Sequence, residues 1–370
     1  MLATFLMACI LSAFVSADRT CNNSPDLCSR PYDRILHLGA HNSPFIRNIS
    51  TSFSTFGNQF FNTTTQLDAG VRLLTGQVHV AENSNTTAPE LHMCHSVCQL
   101  FDAGLLRDWL GEIRTWMDKN PNEVVTIVLV NAGNVSAAQL EAEYSRAGIA
   151  HYGYAPLQIN KPPPPSNDTH RTWPTLEEMI DKGDRLVNFV SPLTTDQDKA
   201  PYLLAAYDFY WENNYQITNA SDFSCTPHRP DNTTSASVML DSGRLFFMNH
   251  FLYWQQAFGI QVPDIRNIYK TNSFGAAGST AGLGQHLINC SDNYTRTPSF
   301  VLVDFFNVGP AIEVVDIFNK VRQPVGRAEL EKGVVEGAGL RQQMMVSGAS
   351  RAGKPRAILG LVIILAAGWT

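Results

Sequence analysis

The chain contains eight apolar, β-branched or aromatic runs, and several of them are almost continuously apolar. They are residues 34–41, 71–80, 91–95, 124–131, 185–191, 206–211, 244–251 and 300–306. Strands that are buried on both faces of a parallel sheet have this composition. Because helical segments lie between some of the runs, we predict an α/β domain built as a (β/α)8 barrel of the TIM type. A doubly wound sheet is the alternative, but no G-x-G-x-x-G motif follows the first run.

The helical segments have recognisable starts and stops. In LLRDWLGEIRTWMDKN, at 105–120, the apolar residues fall on one helical stripe. SAAQLEAEYSRAG begins with a capping Ser136 and ends at Gly148, and TLEEMIDKG is bounded in the same way by Thr175 and Gly183. A further helix, AIEVVDIFNKVRQ, is expected after the last run.

The composition is that of a globular protein with a large core. The 370 residues are 44% hydrophobic and 16% charged, with a formal net charge of −6. A mildly acidic chain without a basic patch or a nucleic-acid motif is not expected to bind nucleic acid.

The N-terminus indicates export. The stretch MLATFLMACILSAFVSA, at 1–17, has an apolar centre that is too short to span a bilayer. It ends in Val15-Ser16-Ala17, a small-residue cleavage pattern, so we interpret it as a signal peptide. The barrel is then expected to occupy residues 18–325.

The C-terminus indicates attachment to a membrane surface. Residues 326–347 are rich in Gly and Ala and predict a flexible stalk. Small residues around Ser347 and Gly348, the polar RAGKPR and a final apolar tail of 14 residues predict a GPI-attachment signal over 348–370. A tail anchor is the alternative, although a transmembrane helix needs about 20 residues. We therefore expect a secreted or cell-surface protein, anchored by GPI.

The cysteines and the glycosylation motifs agree with export. Six cysteines remain after removal of the signal peptide, and ten Asn-X-Ser/Thr motifs are present. An even number of cysteines in an exported chain indicates three disulfides, with fifteen possible pairings. Proximity along the chain favours Cys21–Cys28, Cys94–Cys98 and, by remainder, Cys225–Cys290.

Polar residues stand at the ends of several predicted strands, which is where barrel enzymes place their chemistry. They are His41 and Asn42, Thr75 and Gln77, His95, Asn131, Asn249 and His250, and Asp304. Two imidazoles at neighbouring strand ends can divide the work of a base and an acid. Because the first and last strands are neighbours in a closed barrel, Asp304 is expected to orient His41.

Seven stretches resemble one known family in their order and spacing. They are HLGAHNSPF, GVRLLTGQVHV, LHMCHSVC, NEVVTIVLVN, YDFYWENNYQ, RLFFMNHFLY and SFVLVDFFNVG. Together they resemble the X domain of phosphatidylinositol-specific phospholipase C, and in particular the secreted fungal phospholipase-C-like phosphodiesterases. The resemblance covers most of residues 30–322.

The resemblance implies an intramolecular attack on a phosphodiester. His41 matches the family's base, which takes the proton from the inositol 2-hydroxyl so that this oxygen attacks phosphorus. His95 matches the acid, which protonates the leaving diacylglycerol oxygen. Asp304 matches the carboxylate partner of the base. The product is a cyclic phosphate, and paired proton transfer of this kind contributes about 10² to 10⁴-fold per positioned group.

The chain departs from the family where a cation is expected. Calcium-dependent relatives have acids on strand two, where Thr75 and Gln77 stand here, and an acid on strand four, where Asn131 stands. Metal-free bacterial relatives have an Arg at the position of Gln77. Neutral oxygens make a poor calcium site. We therefore expect no metal and no cofactor, with Asn42 and Gln77 donating neutral hydrogen bonds to the phosphate.

Four further polar residues need an interpretation. Glu212, in the stretch WENN, and His250 are candidates for contact with substrate, Glu212 through inositol hydroxyls. Asn131 is a candidate for the same role at the end of its strand. Arg72 is expected to form a structural ion pair.

These residues predict a secreted phosphoric diester hydrolase of the phospholipase C type. Its expected partners are a phosphoinositide or related phospholipid and a membrane surface. The missing cation leaves a second hypothesis, a non-catalytic surface barrel that binds lipid or glycan. A glycoside hydrolase is the third and least favoured hypothesis. It needs two opposed carboxylates, and the only candidates are Asp304 and Glu212.

Overall fold

The computed structural model describes residues 19–81, 90–167, 169, 172–230 and 235–335. The predicted signal peptide, the predicted GPI-attachment signal and the later part of the predicted stalk lie outside these residues.

The described residues form thirteen strands and nine α-helices. The strands are β1 (His37–Ala40), β2 (Leu73–Val80), β3 (Leu91–Cys94), β4 (Asp102–Leu105), β5 (Val125–Val130), β6 (Leu186–Ser191), β7 (Leu203–Ala205), β8 (Tyr210–Asn213), β9 (Pro227–Arg229), β10 (Leu245–Asn249), β11 (Tyr253–Gln255), β12 (Gln261–Pro263) and β13 (Phe300–Val303). The helices are α1 (Thr63–Asp68), α2 (Leu106–Lys119), α3 (Ala137–Ala147), α4 (Leu176–Lys182), α5 (Ala206–Phe209), α6 (Ala236–Asp241), α7 (Ile268–Thr271), α8 (Leu283–Tyr294) and α9 (Ala311–Asn319).

Eight parallel strands follow the order of a (β/α)8 barrel. They are hydrogen-bonded in the sequence β7-β6-β5-β2-β1-β13-β10-β8. Barrel strands that are consecutive along the chain are therefore paired, with the exception of β7 and β8, and the first strand pairs with the last. The hydrogen-bonded ladder is open between β7 and β8. This order confirms the predicted barrel class and excludes the doubly wound alternative, whose first and last strands are not neighbours.

Two details of the strand prediction were wrong. The run 91–95 is not a barrel strand, because β3 pairs antiparallel with the far end of β2 and then with β4 in a hairpin above the barrel. The fifth barrel strand is instead β7, which has only three residues and was not predicted. The run 206–211 divides into α5 and the start of β8.

The helix boundaries agree with the sequence signals. The Ser136 hydroxyl accepts a hydrogen bond from the backbone of Gln139, and Thr175 caps α4 in the same way. Gly148 and Gly183 end their helices at φ 71° and 81°, a left-handed conformation that favours glycine.

Alternation along the strands divides the barrel interior into layers. In β1 the residues that share one face are His37, Gly39 and, just past the strand, His41. At Gly39, a Cβ would lie 2.6 Å from a Leu73 side-chain carbon and 2.8 Å from one of Leu302, so only glycine fits between these neighbours. The lower interior is mainly apolar, with His37 and Thr126 buried in it, and the polar strand ends form the top layer.

All three predicted disulfides are present: Cys21–Cys28, Cys94–Cys98 and Cys225–Cys290. The predicted structural ion pair of Arg72 is also present, because its Nη2 lies 2.6 Å from Glu123 Oε2 and both side chains are buried.

Removing Cys225–Cys290 by a double alanine substitution is expected to lower the free energy of unfolding by about 4 kcal/mol, because this disulfide closes a long loop in the unfolded chain. Its cysteines are 65 residues apart, whereas those of Cys21–Cys28 are 7 apart. Removing the latter is expected to cost only about 2 kcal/mol. Urea unfolding of both variants measures the difference, and an equal or larger loss for the short loop would contradict the loop-length argument.

Beyond α9 the chain continues along the outside of the barrel as a segment that we call the strap (residues 325–335). Near its start, the Val325 amide donates to the Asn23 carbonyl at 2.8 Å. Near its end, the Asn307 side chain donates to the carbonyls of Glu331 and Gly333 at 3.1 and 2.8 Å. The first ten residues of the predicted stalk are therefore hydrogen-bonded to the barrel. No helix within the described ranges is long and apolar enough to cross a membrane.

Candidate active site

The carboxyl end of β1 brings His41 against Asp304, which follows β13. Parallel pairing of β1 with β13 places Ala40 beside Val303, so the next residues of both strands are neighbours. His41 Nδ1 lies 2.9 Å from Asp304 Oδ1, and both residues are buried. When Nδ1–H donates to the carboxylate, Nε2 is left with a free lone pair, as a general base requires.

Two residues that the sequence did not single out fix this pair. Asn58 donates to Asp304 Oδ1 at 2.8 Å, and its amide nitrogen lies 3.2 Å from His41 Nδ1. The Gln59 amide donates to the carbonyls of His41 and Val303 at 2.9 and 3.1 Å. Both are buried in the loop after β1, so no periodicity or motif marks them.

Aromatic rings cover one face of His41. Phe251 stacks on the imidazole with a centroid distance of 3.8 Å, and Tyr253 meets it edge-on at 6.4 Å. Both rings come from the segment that leaves β10 and enters the hairpin β11–β12. The stacking fixes the plane of the His41 ring, and Asp304 fixes its Nδ1 edge.

His95 is carried by the hairpin and not by a barrel strand. It directly follows β3, inside the short loop that the Cys94–Cys98 disulfide closes. Its Nδ1 lies 2.6 Å from the Phe56 carbonyl, so Nδ1–H donates there and Nε2 faces the site. Phe45 stacks on the ring at 5.1 Å. Two separate elements thus aim the Nε2 atoms of His41 and His95.

An amide network joins the two histidines. The Asn42 side-chain nitrogen lies 3.3 Å from His95 Nε2, and its oxygen accepts from Gln77 at 3.4 Å. Asn42 has φ 50°, and its backbone amide donates to Thr75 Oγ1 at 2.7 Å. The structure therefore brings His41, Asn42, Gln77 and His95 together at one end of the barrel.

His95 is neutral in this arrangement. Burial, and then the nearby His41, lowers the pKa of His95 to about 4, while the Phe56 carbonyl acts in the opposite direction. A neutral Nε2 accepts from Asn42 and has no proton to give. A phosphodiester anion beside the ring would raise the pKa of His95, because an opposite charge favours the imidazolium form.

A cation that the sequence did not indicate stands across the mouth. Arg229, on β9, lies 2.7 Å from Glu212 Oε1, and its guanidinium stacks on Tyr215 at 3.9 Å. Burial alone would lower the pKa of Arg229, but the Glu212 carboxylate raises it above its usual value. Burial, and then the Asp304 charge, raises the pKa of Tyr253, whereas the charge of Arg229 lowers it.

Glu212 is buried near the carboxyl end of β8. Besides Arg229, it accepts from the Tyr207 hydroxyl at 2.8 Å and from the Asn249 amide at 2.7 Å. Its two oxygens therefore already have partners, and a substrate hydroxyl would have to join or replace them.

Two other predicted substrate contacts lie elsewhere. The His250 ring is buried between β10 and α8, where its Nδ1 lies 2.9 Å from His286 Nδ1 and its Nε2 lies 2.8 Å from the Thr271 carbonyl. Its neighbour Asn249 takes the inward position, so alternation turns His250 outward. The Asn131 amide bonds to the backbone of Val135 and Pro192, which orders the loop after β5.

The arrangement suits a reaction in which one histidine takes a proton from a bound molecule and the other gives a proton to it. His41 Nε2 can take a proton from a hydroxyl, and His95 Nε2, once charged, can give one to a leaving oxygen. The donors between them are amides, and the cation across the mouth is paired with a carboxylate. These residues can bind an anion without a metal.

Comparison with known proteins gives one consistent result. The PI-PLC X family model matches residues 27–319. "PI-PLC X domain-containing protein 1" of Arthroderma benhamiae is 33% identical over 321 residues, which are 86% of this chain and 96% of the relative. An "Uncharacterized secreted protein" of the same fungus is 31% identical over 299 residues, or 79% of this chain and 61% of that protein.

Among solved structures, the phosphatidylinositol-specific phospholipase C of Listeria monocytogenes is similar to this chain at a TM-score of 0.48. The two are 14% identical in sequence, and the match covers 79% of this chain and 94% of the bacterial protein.

Proposed function

The chain belongs to the PI-PLC X domain family, and from this premise we propose that it is a phosphoric diester hydrolase of the phospholipase C type. The observation that carries the proposal is the buried hydrogen bond of 2.9 Å between His41 Nδ1 and Asp304 Oδ1, with His95 held beside it through Asn42. The proposed substrate is a phosphoinositide or a related phospholipid.

The reaction is proposed to run as an internal displacement at phosphorus. His41 Nε2 takes the proton from a hydroxyl adjacent to the phosphodiester, and that oxygen forms the new P–O bond. The bond to the lipid oxygen breaks, and this oxygen receives a proton from His95 Nε2. One proton enters His41 and one leaves His95, so a cyclic phosphate and an alcohol result. In the second step, His95 takes a proton from water, whose oxygen bonds to phosphorus, while the internal P–O bond breaks and its oxygen takes the proton back from His41, which restores both rings.

The protonation of His95 is tied to binding. In the free protein this ring is neutral, because its pKa is lowered to about 4. We propose that the bound anionic substrate raises the pKa of His95, so that Nε2 takes up a proton. The substrate does this by placing negative charge beside Nε2 and by displacing the Asn42 amide. Asn42 and Gln77 then donate to the phosphate oxygens, and Arg229 adds a cationic edge across the mouth.

The location of the protein is part of the proposal. We propose that the chain is exported and held at the cell surface by its C-terminal signal. The signal-peptide pattern at 1–17, the three disulfides and the secreted relative support export.

The proposal is tested by release of water-soluble inositol phosphate from phosphatidylinositol vesicles, with EDTA and with added calcium. Release at the same rate in both is expected, because Thr75, Gln77 and Asn131 offer no carboxylate for calcium. Loss of release in EDTA would overturn the metal-free mechanism. Absence of release in both conditions, with binding to the same vesicles, would favour the non-catalytic hypothesis.

A further inference from the structure

The strap turns the chain round before it leaves the barrel. Helix α9 ends at the amino-terminal end of the barrel, where the Asn319 side chain bonds to both the amide and the carbonyl of Leu36, just before β1. A chain that stopped there would end on the face opposite the candidate active site. Instead, the strap runs back antiparallel to α9.

Ion pairs between the strap and α9 show that the two segments are antiparallel. Arg327 makes two contacts with Asp316, at 2.6 and 2.8 Å, near the end of the helix. Lys332 pairs with Glu313, which lies in the first turn of α9. Advancing along the strap thus means returning toward the start of the helix, which is the active-site end.

The strap ends beside the active site. Val334 and Val335 pack against an apolar cluster that includes Phe60 and Phe305. Phe305 directly follows Asp304, and Phe60 follows Gln59, which holds the backbone of His41. The Val334 amide donates at 3.2 Å to the hydroxyl of Tyr269 on α7, which lies in the connection between β10 and α8.

The N-terminus leaves the barrel at the other end. Arg19 pairs with Asp181 near the end of α4, and the Asn22 side chain bonds to the backbone of Val124 at the start of β5. The two termini of the described barrel therefore lie on opposite faces, and only the C-terminal one shares a face with His41.

We infer that the strap directs the barrel mouth toward the membrane that holds the C-terminal tail, so that the partner of this face is the lipid surface of that same membrane. The inference rests on the proposed function for its choice of substrate and on the proposed C-terminal attachment for the membrane. Twelve residues, 336–347, separate the strap from the predicted attachment site. Fully extended, they reach only about 40 Å. Because the described chain ends at the mouth, the tether starts nearer to this face of the barrel than to the opposite one.

The surface at the mouth fits a lipid interface. Hairpin β11–β12 begins at Tyr253, beside His41, and its tip carries Phe258, which is 91% exposed. An aromatic side chain at a protruding tip gains free energy by entering the interfacial region of a bilayer. At the other end of the barrel, Ile317 on α9 is 61% exposed and serves as a matched apolar control.

The test uses the full-length chain, purified with its own C-terminal attachment and reconstituted into phosphatidylcholine vesicles with 20% phosphatidylinositol. An environment-sensitive fluorophore is placed on Phe258→Cys or on Ile317→Cys. Quenching by a headgroup-labelled lipid is expected to be at least threefold stronger at 258 than at 317. Equal quenching, stronger quenching at 317, or failure of the chain to associate with vesicles through its tail would overturn the inference.

The strap itself is tested by Arg327→Glu, which places a like charge beside Asp316, with Arg327→Lys as the conservative partner. The glutamate variant is expected to lose the difference between the two probes and the lysine variant to keep it. An unchanged difference in the glutamate variant would overturn the role of the strap. Hydrolysis of a soluble inositol phosphodiester is measured in parallel. If no variant cleaves it while the probe at 258 is quenched, the proposed function fails and the orientation stands.

Discussion

His41→Ala is expected to reduce the release of inositol phosphate by about 10² to 10⁴-fold, because it removes the group that accepts the proton of the attacking hydroxyl. His95→Ala is expected to show a loss of similar size. The double variant is expected to be little worse than either single one, since a base and an acid that act in one step are not additive. Initial rates on phosphatidylinositol vesicles measure all three.

The matched control is His151→Ala, because this histidine is exposed and lies in the connection between α3 and α4, away from the mouth. It is expected to keep wild-type turnover. Asp304→Asn gives a sharper test of the geometry. The asparagine can present an N–H to Nδ1, which favours the tautomer with the proton on Nε2 and removes the base. Turnover that survives His41→Ala or Asp304→Asn would contradict the mechanism.

Acidification from pH 7 to pH 5 is expected to destabilise the fold strongly. Burial lowers the pKa of His37, His95 and His286 to about 4, and that of His250 to about 3. Their pKa in the unfolded chain is about 6.5, so the unfolded state binds protons first as the pH falls. Stability is therefore fully present above pH 6.5 and is lost down to about pH 4. The slope approaches about 1.4 kcal/mol per pH unit for each histidine.

Urea unfolding at pH 7.5, 6 and 5 measures this slope. His37→Gln is expected to make the slope shallower by less than about one quarter, since burial also lowers the pKa of His79 and His37 is one of five such histidines. His151→Gln, at an exposed position, is expected to leave it unchanged. A free energy of unfolding that stays level between pH 7.5 and 5 would show that these rings are not held neutral in the folded protein.

Much of the site follows from the period of a strand. Once residues 34–41 and 300–306 are recognised as neighbouring parallel strands, alternation brings His41 and Asp304 to the same inner rim. The same rule explains why Asn249 faces the mouth and His250 does not, a distinction that proximity in sequence cannot make. The sequence analysis named His250 as a candidate substrate contact, whereas its side chain lies against His286 and Thr271.

The rest of the site depends on long-range packing. Asn58 lies in an irregular loop and has no period, yet it touches both His41 and Asp304. Arg229 lies on an antiparallel strand added outside the eightfold order, so a search for a cation on strand two could not reach it. Strand β7 is too short to produce an alternating pattern.

The proposed base and the proposed acid lie on different structural units, because His95 is carried by a hairpin outside the barrel. The proposed base, His41, directly follows a barrel strand, so moving it means breaking the pairing of β1 with β13. The proposed acid is mounted on β3 and β4, which pair with the projecting end of β2 and with each other. Changes in this hairpin are therefore expected to disturb the pairing of the barrel strands less than changes at β1, so the proposed acid can vary at a smaller cost in stability than the proposed base.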